Sequence, residues 1–124
     1  MSLIEALILI FFSVIFIMIK TMAEKKIIEI VSKFASKVKE KYDCVSVILF
    51  GSYAKGSFND NSDIDIAVVL KDYENFFNIQ VELMRLRRDI DTRIEPHPIK
   101  EKDFNENTPL INEIKKYGQV INVA

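Results

Sequence analysis

The sequence predicts an α/β (α+β) domain built on a small mixed β-sheet. Apolar residues at three- and four-residue spacing alternate with short apolar runs, in the order helix, strand, strand, helix, strand, helix. With 124 residues, 49% of them hydrophobic, the chain can form one compact domain. This order identifies the elements but leaves their pairing open.

The first half of the domain is predicted as a helix followed by two strands. Apolar residues recur on one face over 23–41, with Lys and Glu on the other, which predicts an amphipathic helix. One apolar run predicts a strand at about 45–50, and another predicts a strand at about 63–70. Residues 51–61 are rich in Gly, Ser, Asn and Asp and predict turns rather than a regular element.

The second half begins with a helix predicted at about 73–90 and a strand predicted across 92–97. Pro96 lacks the backbone N–H that a central strand would donate. We therefore expect this strand to lie at an edge of the sheet or to end its pairing there.

A final helix has clear signals at both ends. Asn107 or Thr108 can cap its N-terminus, with Pro109 at the first helical position and Gly118 as the stop. Residues 119–123 predict a short last strand.

The most informative stretch joins the first two predicted strands. Gly51 and Ser52 follow the first strand, and ten residues separate Ser52 from the Asp63-Ile64-Asp65 that opens the second. Because side chains alternate along a strand, the two aspartates point the same way. Adjacent carboxylates repel, and a hard divalent cation between them best explains the pair. The glycine-serine turn offers backbone N–H groups to phosphate oxygens, so the stretch indicates nucleotide chemistry.

This pattern of Gly-Ser, ten residues and Asp-x-Asp resembles the signature of the DNA polymerase β-like nucleotidyltransferase superfamily. The small size makes the chain most similar to the minimal nucleotidyltransferases, the MNT family, over about residues 22–123. The resemblance implies the nucleotidyltransferase core, with helices packed on one face of the sheet. It also implies ATP as substrate and two Mg²⁺ ions about 3.5–4 Å apart, which stabilise the attacking and leaving oxygens.

The candidate site residues follow from this pattern. Asp63 and Asp65 are the first two catalytic metal ligands, and Gly51 and Ser52 are assigned to the triphosphate. Lys55 in the same loop is a candidate for neutralising the leaving pyrophosphate, with a solvated loop lysine as the alternative.

A third carboxylate is expected from the strand after the intervening helix, as in the family. Glu95 is the choice for this metal ligand and catalytic residue, although aspartate is commoner at that position in the family. Asp91 is the alternative, in the turn that leads into the strand. His97 lies two residues beyond Glu95; a role in proton transfer competes with a packed or surface histidine.

The resemblance also indicates a function. Minimal nucleotidyltransferases are encoded beside helical HEPN proteins in toxin–antitoxin pairs. The chain is therefore expected to be an Mg-dependent protein adenylyltransferase, an antitoxin that transfers AMP from ATP to a tyrosine hydroxyl of a HEPN-type toxin. Two alternatives stay open: nucleotidyl transfer to a small hydroxylated molecule with a dimer partner completing the pocket, and a non-catalytic module that neutralises its target by binding.

The overall charge argues against a nucleic-acid substrate. The net charge is −1 and the pI about 5.9, with acidic and basic residues interspersed. The single cysteine, Cys44, lies in an apolar run and is expected to be a small buried residue of a reduced, cytoplasmic protein.

Residues 1–21 form a hydrophobic N-terminal segment that precedes the predicted domain, residues 22–124. From Leu3 to Ile19 the segment is apolar except for Glu5 and Ser13, and lysines follow it. A wrongly assigned start or a non-native extension is one interpretation, and a membrane anchor that leaves the domain in the cytoplasm is another. A helix that binds a partner is the third.

Overall fold

The computed structural model describes residues 1–123 and contains a four-stranded sheet in the order β3-β2-β1-β4. β1 is antiparallel to both β2 and β4, whereas β2 and β3 are parallel. The mixed sheet that the sequence predicts is confirmed. The strands are β1 (Cys44–Phe50), β2 (Ile64–Leu70), β3 (Ile94–Lys100) and β4 (Gln119–Val120).

The described residues form four α-helices. They are α1 (Leu3–Lys41), α2 (Ser52–Lys55), α3 (Phe76–Leu86) and α4 (Pro109–Tyr117). Short 3₁₀ turns follow α3 at 87–89 and β3 at 101–103.

Helix α1 is one continuous helix of 39 residues, which takes in both the predicted helix and the apolar segment before it. Ser2 and Glu5 form a capping box at its start, where each side chain accepts a hydrogen bond from the other residue's backbone N–H. Only the second half of α1 contributes to the core. Its buried residues are Ile27, Val31, Phe34, Ala35 and Val38.

The sheet has an apolar core on each face because its central strands are buried on both sides. α1 and α3 pack on one face, against the side chains of Val47, Leu49, Ile64, Ile66, Val68, Leu70 and Ile94. α4 packs on the other face, where Ile111 and Ile114 meet Ile48, Phe50, Ala67, Val69 and Ile99. The expectation of helices on one face thus holds for α1 and α3, and α4 covers part of the second face.

The segment between β1 and β2 differs from its prediction. Residues 51–61 were expected to form turns only, but α2 occupies Ser52–Lys55. Gly51 and Gly56 bracket this single helical turn with φ angles of +72° and +77°, and Tyr53 is buried on the core side. The two glycines mark the ends of a helical turn here, whereas in the sequence a segment that contains several Gly, Ser, Asn and Asp residues indicates a loop.

The signals at the C-terminal helix and at the sheet edge are confirmed. Thr108 caps α4 by accepting a hydrogen bond from the backbone N–H of Ile111, and Pro109 takes the first helical position. β3, which contains Pro96, is an edge strand. It begins two residues later than predicted, because Asp91 forms a turn by accepting a hydrogen bond from the N–H of Arg93.

Core packing of α3 gives a direct test of this architecture. Leu83 is fully buried and Phe77, on the same helix, is 72% exposed. We expect Leu83→Ala to lower the free energy of unfolding by about 2–5 kcal/mol, because it leaves a cavity. Phe77→Ala should change it by less than about 0.5 kcal/mol. Urea denaturation followed by circular dichroism measures both, and equal losses would contradict the placement of α3.

Candidate active site

Two parallel strands bring the acidic residues together at one end of the sheet. In the register between β2 and β3, Asp65 is opposite Glu95, and His97 is opposite Ala67. The side chains of alternate residues share a face, so Asp65, Glu95 and His97 lie on the same side of the sheet. This is the face that α4 covers, and the three residues lie near the strand ends, beside the C-terminus of β1.

These three side chains form a compact group of donors. One ligand atom from each lies within 4.8 Å of the other two, and the Nε2 atom of His97 is 3.1 Å from Oδ1 of Asp65. The ring of Phe50 packs edge-on against the imidazole, with ring centroids 5.0 Å apart. Asp65 and His97 are half-buried, and Glu95 is exposed. The two carboxylates are oxygen ligands of the kind that Mg²⁺ prefers, so Asp65 and Glu95 fit the metal that the pattern implies, whereas imidazole is a ligand of softer divalent cations.

Gly51 brings the start of α2 directly against this group. Its φ of +72° and ψ of −151° belong to a region that is essentially restricted to glycine. A Cβ at this position would lie 2.3 Å from Oδ2 of Asp65. The backbone therefore passes beside the carboxylate at a distance that only glycine permits, and Ser52 begins α2 at the same point.

Lys55 connects α2 to α4. Its ammonium group forms an ion pair with Glu113 and lies 5.3 Å from the centre of the Tyr117 ring. The hydrogen bond to Glu113 raises the pKa of Lys55 above its ordinary value. The structure therefore gives Lys55 a partner on α4, in addition to the phosphate contact expected from the sequence.

A series of side-chain hydrogen bonds holds α2 from the side opposite α4. Asp91 accepts two side-chain hydrogen bonds from Arg93, at 2.8 and 3.1 Å, and Arg93 in turn donates to the hydroxyl of Tyr53 in α2 at 3.2 Å. These bonds from Arg93 hold the pKa of Asp91 below its ordinary value. Asp91, the alternative third carboxylate, is therefore hydrogen-bonded to Arg93, whereas Glu95 lies opposite Asp65 on the neighbouring strand.

Asp63, which the sequence predicts as a metal ligand, and His97, for which the sequence leaves two interpretations open, lie in different surroundings. Asp63 is exposed, lies just before β2, and is not a member of the three-donor group. Its role as a metal ligand stays a prediction. His97 belongs to the group; its spacing of two residues from Glu95 predicts that the two side chains share a face, but not that they lie beside Asp65.

Comparison with known proteins gives a family match. Residues 31–121 match the nucleotidyltransferase domain family. A Methanocaldococcus jannaschii protein that is provisionally named a protein adenylyltransferase is 41% identical over 78 residues, which cover 52% of this chain and 88% of that one. Several other proteins of the same organism, with the same provisional name, match as well.

Solved structures show the same fold. A crystal structure provisionally assigned as a nucleotidyltransferase from Sulfolobus solfataricus has a TM-score of 0.63 at 20% identity, and the match covers 82% of this chain and 84% of that chain. A chain from a crystal structure of a toxin–antitoxin with AMP-PNP has a TM-score of 0.52 at 26% identity, covering 82% and 73%.

The contact between Gly51 and Asp65 can be tested with a matched pair of variants. Gly51→Ala should displace the Asp65 carboxylate and abolish divalent-metal binding, because the added methyl group overlaps Oδ2. Gly56→Ala has the same sign of φ, but its Cβ would meet only the flexible end of Lys20, at 3.3 Å. Calorimetric titration with Mn²⁺ measures the difference.

Both variants carry the penalty of an alanine at positive φ, of order 1–3 kcal/mol in stability. Thermal denaturation therefore serves as the control for folding. If a folded Gly51→Ala protein binds Mn²⁺ as well as Gly56→Ala does, Gly51 has no role in the geometry of the acid group.

Proposed function

Because the chain belongs to the nucleotidyltransferase domain family and is a nucleotidyltransferase of the minimal type, we propose a specific reaction for it. It transfers AMP from ATP to a tyrosine hydroxyl of a helical HEPN-type toxin, with Mg²⁺ as the metal, and so acts as the antitoxin. We expect the catalytic domain to lie in the cytoplasm, where ATP is available.

The observation that carries this proposal is the donor group of Asp65, Glu95 and His97 with the backbone of Gly51 against it. Asp65 and Glu95 would hold the metal, and Asp63 at the start of β2 is the candidate for an additional ligand. Bound divalent cations, two in the proposed mechanism, supply charge stabilisation at the phosphates during in-line displacement. Gly51 and Ser52 let the triphosphate approach the backbone closely.

The proposed reaction is an in-line displacement at the α-phosphorus of ATP. The tyrosine oxygen forms a bond to the α-phosphorus of ATP while the bond from that phosphorus to the β-phosphate oxygen breaks, and pyrophosphate leaves. Glu95 is exposed beside Asp65 and can accept the proton from the attacking hydroxyl. His97 fixes the orientation of the Asp65 carboxylate through its 3.1 Å contact.

Two observations support a protein as the acceptor. Glu95 lies exposed on an edge strand, where a side chain of another protein can approach it. The curated relatives are named as protein adenylyltransferases, and one structural neighbour comes from a toxin–antitoxin. The HEPN identity of the partner rests on the resemblance of the sequence to the MNT type.

The proposal predicts transfer of label to the product of the neighbouring gene. With ATP labelled at the α-phosphate, the partner should become labelled, and Asp65→Asn or Glu95→Gln should reduce the rate by about 10²- to 10⁴-fold. Asp72→Asn is the matched control, because Asp72 is a 77% exposed acid just beyond the other end of β2. Mass spectrometry of the labelled partner then locates the modified tyrosine.

The alternatives give different results in the same assay. Label in a small product, with none in protein, indicates a small hydroxylated acceptor. If the Asp65→Asn variant neutralises the toxin as effectively as the unaltered chain does, binding alone is sufficient.

Metal removal is a separate test of the donor group. We expect EDTA to stop label transfer and added Mg²⁺ to restore it. The negatively charged triphosphate of ATP is repelled by the two carboxylates of the site, and a bound cation would offset this repulsion. Transfer that continues unchanged in EDTA after gel filtration would contradict the metal-dependent mechanism.

A further inference from the structure

The first part of α1, from Leu3 to Ile19, leaves all of its large apolar side chains exposed in the described residues 1–123. Only its last turns, at Phe16 and Ile19, border the domain, where they line a pocket with Phe58. An 18-residue window within α1 has a mean hydropathy of 2.6, and none of that window is buried. Large apolar side chains are exposed by as much as 77% at Leu3 and 69% at Phe16. This is the largest feature of the molecule that nucleotidyl transfer does not use.

The apolar surface surrounds the whole helix. Residues 7–12 are six consecutive large hydrophobic side chains, all exposed, and at 100° per residue they point in every direction around the axis. A helix that docks on one partner surface has an apolar stripe and a polar opposite face, whereas a helix that is apolar all round is buried on every side. A lipid bilayer can cover every side of a lone helix.

Length and charge also fit a bilayer. Seventeen residues at about 1.5 Å each give about 26 Å, close to the hydrocarbon thickness of about 30 Å. Lys20, Lys25 and Lys26 follow on the domain side, and excess lysine marks the cytoplasmic side of a membrane helix. Packing against the domain starts at the same point, because the Lys20 ammonium lies beside Gly56.

The helix is continuous from this segment into the core. It shows no break between Ile19 and Ile27, its first buried residue, about 12 Å further along the axis. A buried core helix does not explain the segment, because the segment is exposed. A secretory leader carries basic residues before its apolar stretch, whereas here the lysines follow it.

We infer that Leu3–Ile19 crosses a lipid bilayer, with the nucleotidyltransferase domain held on the cytoplasmic side, close to the membrane surface. The lysines after Ile19 lie at the level of the headgroups, where anionic lipids attract them. This inference does not depend on the acceptor or on the metal, so its test is independent of the transfer assay.

The test is membrane fractionation of the full chain expressed in a bacterial host. The chain should sediment with the membranes and stay there after a carbonate wash at high pH. Ile8→Arg with Phe12→Arg should move it to the soluble fraction, because each charge near the helix centre opposes insertion. Ile8→Leu with Phe12→Leu is the matched control and should stay in the membranes.

All four substitutions lie outside the core, so both variants should unfold at the same temperature in detergent, followed by circular dichroism, which verifies folding. Release of the unaltered chain by carbonate, or its recovery as a soluble oligomer, would overturn the inference. A chain found without residues 1–21 when the native protein is sequenced by mass spectrometry would overturn it as well.

Protease protection tests the orientation. The domain should be digested in inverted membrane vesicles and protected in intact spheroplasts. The reverse pattern would show that the domain faces the other compartment and would contradict the placement.

Discussion

The parallel register between β2 and β3 is the constraint on which the site depends. It sets Asp65 opposite Glu95 in neighbouring strands, where side chains of like charge repel. The fold retains this pairing because the same register buries Ile64, Ile66 and Ile94 on the other face. A slip of β3 by one residue would turn Ile94 out of that core and move Glu95 towards it. The energy of the core therefore holds two carboxylates together, and the imidazole of His97 lies 3.1 Å from one of them.

The α2 turn is positioned by contacts on two sides. Arg93, held by Asp91, donates to Tyr53 on one side, and the Lys55–Glu113 pair joins the turn to α4 on the other. Tyr53 also stacks on Phe58, with ring centroids 4.6 Å apart. Because Gly51 immediately precedes α2, these contacts fix the backbone beside the Asp65 carboxylate. Asp91, Arg93 and Glu113 thus help to position the backbone beside the site.

The sequence predicts the elements well and the site partly, for physical reasons. The periodicity of apolar residues shows which face of each element is buried, so the strands and the longer helices can be predicted. Thr108 and Pro109 mark the start of α4 because a helix cap is a local interaction. Register depends on how two strands pair, and the sequence of one strand does not determine it. The proximity of His97 to Asp65 therefore could not be predicted from the spacing of residues alone. A single helical turn between two glycines has the composition of a loop, and for that reason α2 was missed.

Helix α1 has two roles that use different parts of one element. Ile27, Val31, Phe34 and Val38 provide the core against which the sheet folds, and the preceding residues carry the exposed apolar surface. Since the helix has no hinge residue such as proline or glycine between the two parts, motion of one part is transmitted to the other. A bilayer around the first part would therefore restrict the rotation of the domain, and the exposed edge that carries Glu95 would keep a limited range of orientations to the membrane. Acceptors that lie at the membrane surface would meet this edge more often than acceptors in bulk solution.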